Sequence, residues 1–317
     1  MSLDTQNQLA LHEARQNQLS KSSKYISEFL SNTDASNDYE IVGCPTCENK
    51  PSQPLFIKNN GHYCHCPACD HIFLANQLKS DVLERFYANY PTSSMEWHRN
   101  ESDFYKRVYE KGISMLGLGS DKVEMLDIGC SSGYFLALAS LENIDAYGVE
   151  PNKREAAYAI EHGIKILGST IADLDKNQMF DIITLWDVLE HIKNPIDYLD
   201  SLRSLTKSGG SVFVQVPTSD SLAARVMRDS CNMFDGIEHL TLFSNRSLDI
   251  AFEKAGYETI RKQTIISESH ALKNYLSYEK NPYLGQPAHD LSYEFLTADW
   301  IEFSNLGYKI QAVYKVI

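Results

Sequence analysis

The sequence predicts an α/β fold, a mostly parallel sheet with helices on both faces, with a small cysteine ribbon ahead of it. Three observations carry that prediction. Residues 123–133 read V-E-M-L-D-I-G-C-S-S-G, a short apolar strand entering a turn with Gly129 and Gly133, and an apolar helical run follows over 134–141. Strand-like and helix-like segments then alternate as far as residue 217, as in parallel sheets built with crossover helices. Upstream, two C-x2-C pairs stand eighteen residues apart.

Bulk properties fit a folded protein of one ordinary domain with additions. The chain has 317 residues, 43% hydrophobic and 22% charged, which suffices for a sizeable core. Its net charge of −13 argues against extended binding to a phosphate backbone. The polar start lacks the apolar run of a signal peptide, and no stretch approaches the ~18 apolar residues of a membrane span. The expectation is a soluble, cytoplasmic chain with no membrane span. Seven cysteines then suggest thiols or metal ligands rather than disulfides.

Residues 1–38 are expected to form a mobile or helical arm. Residues 39–75 hold the ribbon. Cys44-Pro-Thr-Cys47 and Cys66-Pro-Ala-Cys69 have the spacing of a four-thiolate zinc site. Four protein ligands leave no open position, so the zinc would be structural, and the short segment would draw its folding free energy from it. Cys64, His62, His65 and His71 lie close by and could replace a ligand; the alternative for them is surface and strand positions around the second knuckle. Asp70 stands where ribbons often have Gly, which predicts a less regular second turn.

Residues 76–119 read as a helical linker. Phe86, Tyr87, Tyr90, Trp97, Phe104, Tyr105 and Tyr109 make it aromatic. Packing the ribbon onto the main domain explains them. The alternative is a lid with Tyr87, Tyr90 or Trp97 facing a ligand.

The main domain spans 120–317. The first strand, 123–127, ends on Asp127, at the sheet edge where open α/β folds bind ligands. A second strand, 146–149, ends at Glu150, placed to accept hydrogen bonds from both hydroxyls of a ribose. Pro151 and Asn152 start a helix over 153–162. A third strand covers 165–167, and 180–186 is a β-rich fourth. After Asp187-Val-Leu-Glu190-His191, a helix resumes at Pro195 and runs to about 205. Gly209-Gly210 turns the chain into a fifth strand over 211–216. Residues 248–255 form a helix, and 257–266 and 308–317 two closing strands. Between those strands lies a partly helical insertion, about 267–307 with Pro282 and Pro287, too long for a hairpin loop.

Together these residues resemble class I S-adenosylmethionine-dependent methyltransferases, in particular a group with an N-terminal cysteine ribbon. Residues 127–133, D-I-G-C-S-S-G, are similar to the family's first motif, with Ser131 in place of its usual middle glycine. Glu150-Pro151 matches the ribose-binding acid. Residues 180–195, F-D-I-I-T-L-W-D-V-L-E-H-I-K-N-P, are the most specific match, supported by 209–217 and by E-H-L-T-L-F-S at 238–244. The resemblance implies a Rossmann-like sheet of seven strands, the last antiparallel. It implies S-adenosylmethionine bound by Asp127, Gly129, Cys130, Ser131, Gly133, Glu150 and Pro151, with Ile171 and Ala172 along the adenine and Asp187 beside the methionine portion. Relatives with a ribbon often act on sugars or small metabolites in polysaccharide or natural-product pathways.

Methyl transfer from a sulfonium is an in-line displacement, so positioning is the protein's main task. A hydroxyl acceptor must also lose its proton. His191 and Glu190, just beyond the fourth strand, are candidates for that role, and His239 is a third. Packing under the loop explains His191 as well, and a satisfied, partly buried position explains His239. The expected function is O-methylation of a small-molecule or sugar acceptor. The alternatives are a donor-binding scaffold and an RNA-modifying enzyme, the latter opposed by the charge. A nicotinamide site fits poorly, because the third glycine of its pyrophosphate turn is missing.

Overall fold

The computed structural model describes residues 8–88, 90, 102–175, 177–277 and 296–317. Trp97, Pro91, Pro282 and Pro287 lie outside them. The chain divides into two compact units. One comprises Met1–Thr92, Pro217–Ser247 and Thr264–Lys309; the other comprises Ser93–Val216, Leu248–Gln263 and Ile310–Ile317.

In the first unit, helix α1 (Gln8–Ser31) precedes five short strands: β1 (Tyr39–Ile41), β2 (Phe56–Lys58), β3 (Gly61–Cys66), β4 (His71–Leu74) and β5 (Asn76–Leu78). The arm is therefore helical over most of its length. α2 (Ser80–Ala88) follows, burying Val82, Leu83 and Phe86. These side chains pack with Ile26 and Phe29 of α1, and the Tyr25 hydroxyl donates to the Phe86 carbonyl at 2.7 Å. The ribbon strands form an antiparallel sheet in the order β11-β4-β3-β2, and β11 is Thr241–Leu242, drawn from far along the chain. Thr241 pairs with Phe73 and Leu242 with Ile72.

Tyr63 and Leu74 of the ribbon share a core with Ala223, Ala224 and Met227 of α7 (Leu222–Met227) and with Ala271 and Leu272 of α9 (Ser269–Leu276). Ile301 of α10 (Ala298–Phe303) completes it. This corrects one expectation. The ribbon does not depend on metal alone for its folding free energy, because its apolar face is buried on residues distant in sequence.

The seven-stranded sheet has the order β12-β13-β10-β9-β6-β7-β8. These are β6 (Val123–Ile128), β7 (Ile144–Val149), β8 (Lys165–Gly168), β9 (Phe180–Trp186), β10 (Thr206–Pro217), β12 (Tyr257–Ile265) and β13 (Lys309–Val316). The pairs β10–β9, β9–β6, β6–β7 and β7–β8 are parallel. Helices α3 (Ser102–Met115), α4 (Tyr134–Ala139), α5 (Lys153–Glu161), α6 (Pro195–Arg203) and α8 (Asn245–Lys254) accompany the strands.

Local chemistry explains the boundaries. Met125, Leu126, Asp127 and Ile128 are buried in succession, the mark of a central strand covered on both faces. Asn152 caps α5 by accepting from the N–H groups of Arg154 and Glu155 at 3.0 and 3.3 Å. Pro195 occupies the first turn of α6, where its missing N–H costs nothing. Gly209 and Gly210 lie inside β10, between Thr206 and Ser211, where the register with β9 shifts, so they form an irregularity in a longer strand and not a turn before it.

Candidate functional site

Because β6, β7, β8 and β9 run parallel, their C-terminal ends share one edge of the sheet, and Asp127, Glu150, Ile171, Asp187, Glu190 and His191 lie at or just beyond those ends. Asp127 is the penultimate residue of β6, one place inside the strand end expected for it. Its Cα partner on β9 is Thr184, whose hydroxyl donates to Asp127 Oδ1 at 2.7 Å. Burial pushes the Asp127 carboxyl up to about 8; the Thr184 bond opposes that shift and the charge of Glu150 adds to it.

Glu150 follows β7 and is also buried. Its two oxygens accept the N–H of Ser131 and the N–H of Asn152, each at 2.7 Å. Burial raises its pKa to about 7 despite these two bonds, and Glu155 adds a smaller push. Two buried carboxyls at adjacent strand ends thus sit near their protonation points at neutral pH.

The loop between β6 and α4 has three residues in the left-handed region: Gly129 at φ 71°, Ser131 at φ 51° and Gly133 at φ 77°. A Cβ on Gly129 would stand 2.8 Å from Val188 Cγ2, and one on Gly133 would stand 2.6 Å from Ile164 Cγ1. Both glycines are therefore required by dihedral and by space. Ser131 is a non-glycine residue held in a strained conformation, and its buried hydroxyl has no partner among the described residues. Cys130 points elsewhere: its sulfur occupies the space over Gly148 of β7, so only its backbone belongs to the loop.

Pro151 follows Glu150 at the entry to α5. Ile171 and Ala172 lie in a 3-10 turn after β8 that Thr170 and Asp173 close with a reciprocal capping box. Asp187 follows β9 at φ 55°; its N–H donates to the Gln215 carbonyl at 2.9 Å, and Gln215 Nε2 donates to Asp187 Oδ2 at 2.9 Å. Glu190 and His191 share the next 3-10 turn, Glu190 buried and His191 half-buried.

His239 belongs to the other unit. Its Nδ1 faces the Met233 carbonyl at 2.7 Å and Asp235 Oδ2 at 3.0 Å, which fixes the proton on Nδ1. Asp235 also accepts the N–H groups of Ile237 and Glu238, both at 2.7 Å. Burial, then the Asp235 charge, pushes the neighbouring Glu238 carboxyl up to about 8, against a hydrogen bond from Tyr90.

Sequence reasoning missed Thr184, Gln215 and Trp186, and it read Tyr109 as packing. Trp186 is buried, and its indole N–H has no partner among the described residues. Tyr109 stands edge-on to it at 4.7 Å. Burial, followed by the charges of Tyr105, Asp127 and Asp187, holds the Tyr109 hydroxyl well above its ordinary pKa. A polar residue two places before the end of an apolar strand, as at Thr184, was the available signal.

A family model described as methyltransferase domain matches residues 97–262, just over half the chain. The chain belongs to the methyltransferase domain family. A ubiquinone biosynthesis O-methyltransferase from Vibrio vulnificus is 34% identical over 105 residues, covering 31% of this chain and 44% of the relative. A mitochondrial protein of the same name from Dictyostelium discoideum is 26% identical over 128 residues, covering 34% and 40%. The chain thus spans less than half the length of these relatives. Among solved structures, the complex of the Haloferax volcanii Trm112 methyltransferase activator with a methyltransferase has a chain that superposes with a TM-score of 0.50 at 14% identity. That match covers 74% of this chain and 97% of the other. It supports the fold, and the loop from Gly129 to Gly133 and the acids Asp127 and Glu150 fall inside the methyltransferase domain match.

The cysteine centre belongs to the first unit. The ligand atoms of Cys44, Cys47, Cys66 and Cys69 all lie within 4.8 Å of one another. Cys44 and Cys69 sulfurs are 3.4 Å apart, those of Cys47 and Cys66 3.3 Å, and none is in a disulfide. Four sulfurs bound to one zinc at ~2.3 Å would be roughly 3.8 Å apart, so the set fits a tetrahedral ion after a small expansion. The two turns are alike, which corrects the expected irregularity at Asp70. The N–H of Glu48 donates to the Cys44 carbonyl and that of Asp70 to the Cys66 carbonyl, both at 2.8 Å, and their φ values are 63° and 62°. The neighbouring residues are otherwise engaged: His65 with Asp70 at 2.7 Å, His71 with Ser247 at 3.0 Å and Cys64 with the Ser52 carbonyl at 3.2 Å. Among the described residues no helix is long and apolar enough to cross a membrane.

Proposed function

We propose that the chain is an S-adenosylmethionine-dependent methyltransferase acting on a hydroxyl of a small metabolite or sugar, with a structural zinc in the cysteine centre. The observation that carries this reading is the pair of buried carboxyls, Asp127 and Glu150, flanking a loop whose glycines have no room for a side chain. The bound donor supplies an activated methyl group on a sulfonium.

The protein's part is to bind, orient and remove a proton. Glu150 accepts the ribose hydroxyls. Four lone-pair sites on its two oxygens leave room for them beside the N–H groups of Ser131 and Asn152. Asp127 and Asp187 complement the cationic amino acid portion. Ser131 and Trp186 supply unpartnered polar groups to the same edge. Ile171 and Ala172 cover the adenine. His191, with Glu190 beside it, takes the acceptor's proton on a ring nitrogen as the oxygen attacks. His239, with its proton held on Nδ1, offers Nε2 as the second candidate.

The names of these relatives support oxygen as the methylated atom; they lend no support to a sugar or polysaccharide acceptor. The net charge of −13 counts against an RNA acceptor. The test is incubation with methyl-labelled donor and a panel of phenols, sugar nucleotides and polar metabolites. Labelled product with an equal amount of S-adenosylhomocysteine is expected. Donor binding without transfer to any acceptor would favour the scaffold reading, and absence of donor binding would remove both.

A further inference from the structure

A line of side-chain amides crosses three neighbouring strands and ends on Asp187. Gln263 Nε2 of β12 donates to Gln311 Oε1 of β13 at 2.8 Å. Gln311 Nε2 donates to Gln215 Oε1 of β10 at 3.0 Å and to the Val108 carbonyl of α3 at 3.2 Å. Gln215 Nε2 donates to Asp187 Oδ2 at 2.9 Å. Gln215 is 3% exposed and Gln311 is wholly buried.

The direction of this line is set by chemistry. A carboxylate only accepts, so Gln215 must turn its NH2 toward Asp187. Its carbonyl then faces Gln311, which must donate, and Gln311's carbonyl in turn faces the NH2 of Gln263. Burying such amides is unfavourable unless each finds a partner, and apolar side chains fill a sheet core at lower cost. Among the described residues these side chains pair with one another, with Asp187 and, from Gln311, with the Val108 carbonyl. The residue they reach has φ 55°, a conformation that persists only when its surroundings enforce it. Gln215 enforces it twice, by its side chain on the carboxylate and by its carbonyl on the Asp187 N–H. Gln311 also holds the Val108 carbonyl, next to Tyr109, whose hydroxyl lies in the field of both Asp127 and Asp187.

We propose that Gln311, acting through Gln215, is a positioning residue for the donor site: it sets the orientation of the Asp187 carboxylate and the seat of α3. Neither glutamine touches the donor. The inference rests on the reading of Asp187 as the residue beside the donor's methionine portion. A pre-oriented carboxylate binds a cationic group without first losing its own freedom, which is where a supporting shell acts.

The experiment is calorimetric titration of the full chain with S-adenosylhomocysteine, in a cycle of wild type, Gln311→Met, Asp187→Ala and the double variant. Gln311→Met is expected to weaken binding by about 5- to 20-fold in wild type and by under about 2-fold when Asp187 is already absent. Gln263→Glu gives a second arm on a partly exposed strand position. Its carboxylate cannot donate to Gln311, so it should weaken binding in the same direction, again only while Asp187 is present. This arm decides the matter if Gln311→Met fails to fold. Affinity within 2-fold of wild type alongside a lower melting temperature, or equal losses with and without Asp187, overturns the positioning role. A wild-type chain that binds no S-adenosylhomocysteine overturns the donor-site reading itself, and this inference with it.

Discussion

Glu150 accepts the backbone N–H of Ser131 at 2.7 Å, so the acid at the end of one strand holds the loop that follows its neighbour. The bond joins residues on consecutive strand-loop units and makes the loop's shape depend on the carboxylate. It also gives Glu150 two tasks, one toward the protein and one toward a ligand.

The two tasks predict how substitutions behave. Glu150→Gln leaves one oxygen and one NH2 where two oxygens accept N–H groups, so one N–H must face another. Glu150→Ala removes both acceptors. Each should weaken binding of S-adenosylmethionine and S-adenosylhomocysteine by about 1–3 kcal/mol, the usual cost of unpaired buried polar groups, and lower the melting temperature. Calorimetry and thermal melts check this; unchanged affinity would remove Glu150 from the site.

A pH dependence follows from the raised pKa values of Asp127, about 8, and Glu150, about 7. Between the ordinary carboxylate range and these values the folded, ligand-free protein binds more protons than the unfolded chain. Its stability from these groups is therefore greatest at low pH and falls as pH rises through about 7 and 8. A cationic donor favours the ionised forms, so its affinity should rise over the same window, with protons released on binding. Titrations in buffers of different ionisation enthalpy count those protons; binding without release would show that neither group ionises.

Backbone strain in the loop predicts substitutions of opposite sign. Gly129→Ala meets Val188 Cγ2 at 2.8 Å with φ at 71° and should destabilise by about 1–3 kcal/mol. Ser131→Gly relieves a left-handed serine and should be neutral or stabilise by up to about 1 kcal/mol. Denaturant midpoints at constant m-value measure both.

Metal analysis should find one zinc per chain, bound through Cys44, Cys47, Cys66 and Cys69. Cys66→Ser should lower yield and melting temperature more than it changes donor affinity, because the ion supports the unit that holds it. Protein purified without chelator and lacking metal would speak against the centre.

Once an acceptor is found, His191→Ala should lower kcat by about 10²–10⁴-fold with donor affinity nearly constant, as expected for loss of a general base. A variant that keeps more than half its kcat, with an unchanged pH profile, would move the role to His239 or leave positioning as sufficient.

Most of the sheet was legible in the sequence, because its information is local. Buried parallel strands are short apolar runs, their glycine turns demand positive φ, and a cap such as Asn152 or a first-turn proline such as Pro195 marks a helix start within a few residues. For the same reason Asp127, Glu150 and the four cysteines could be named from spacing. Tertiary structure decided what depends on pairing between distant segments. Thr241 and Leu242 complete the ribbon's sheet 168 and 170 residues from their partners Phe73 and Ile72, and no local pattern announces such a strand. The glutamines at 215, 263 and 311 are unremarkable singly; three strands laid side by side turn them into one hydrogen-bonded line. The sequence determined which residues could bear charge at the sheet edge. Only the fold decided how deeply Asp127 and Glu150 are buried, and hence that their protons leave near neutral pH, since desolvation is a property of everything packed around a group.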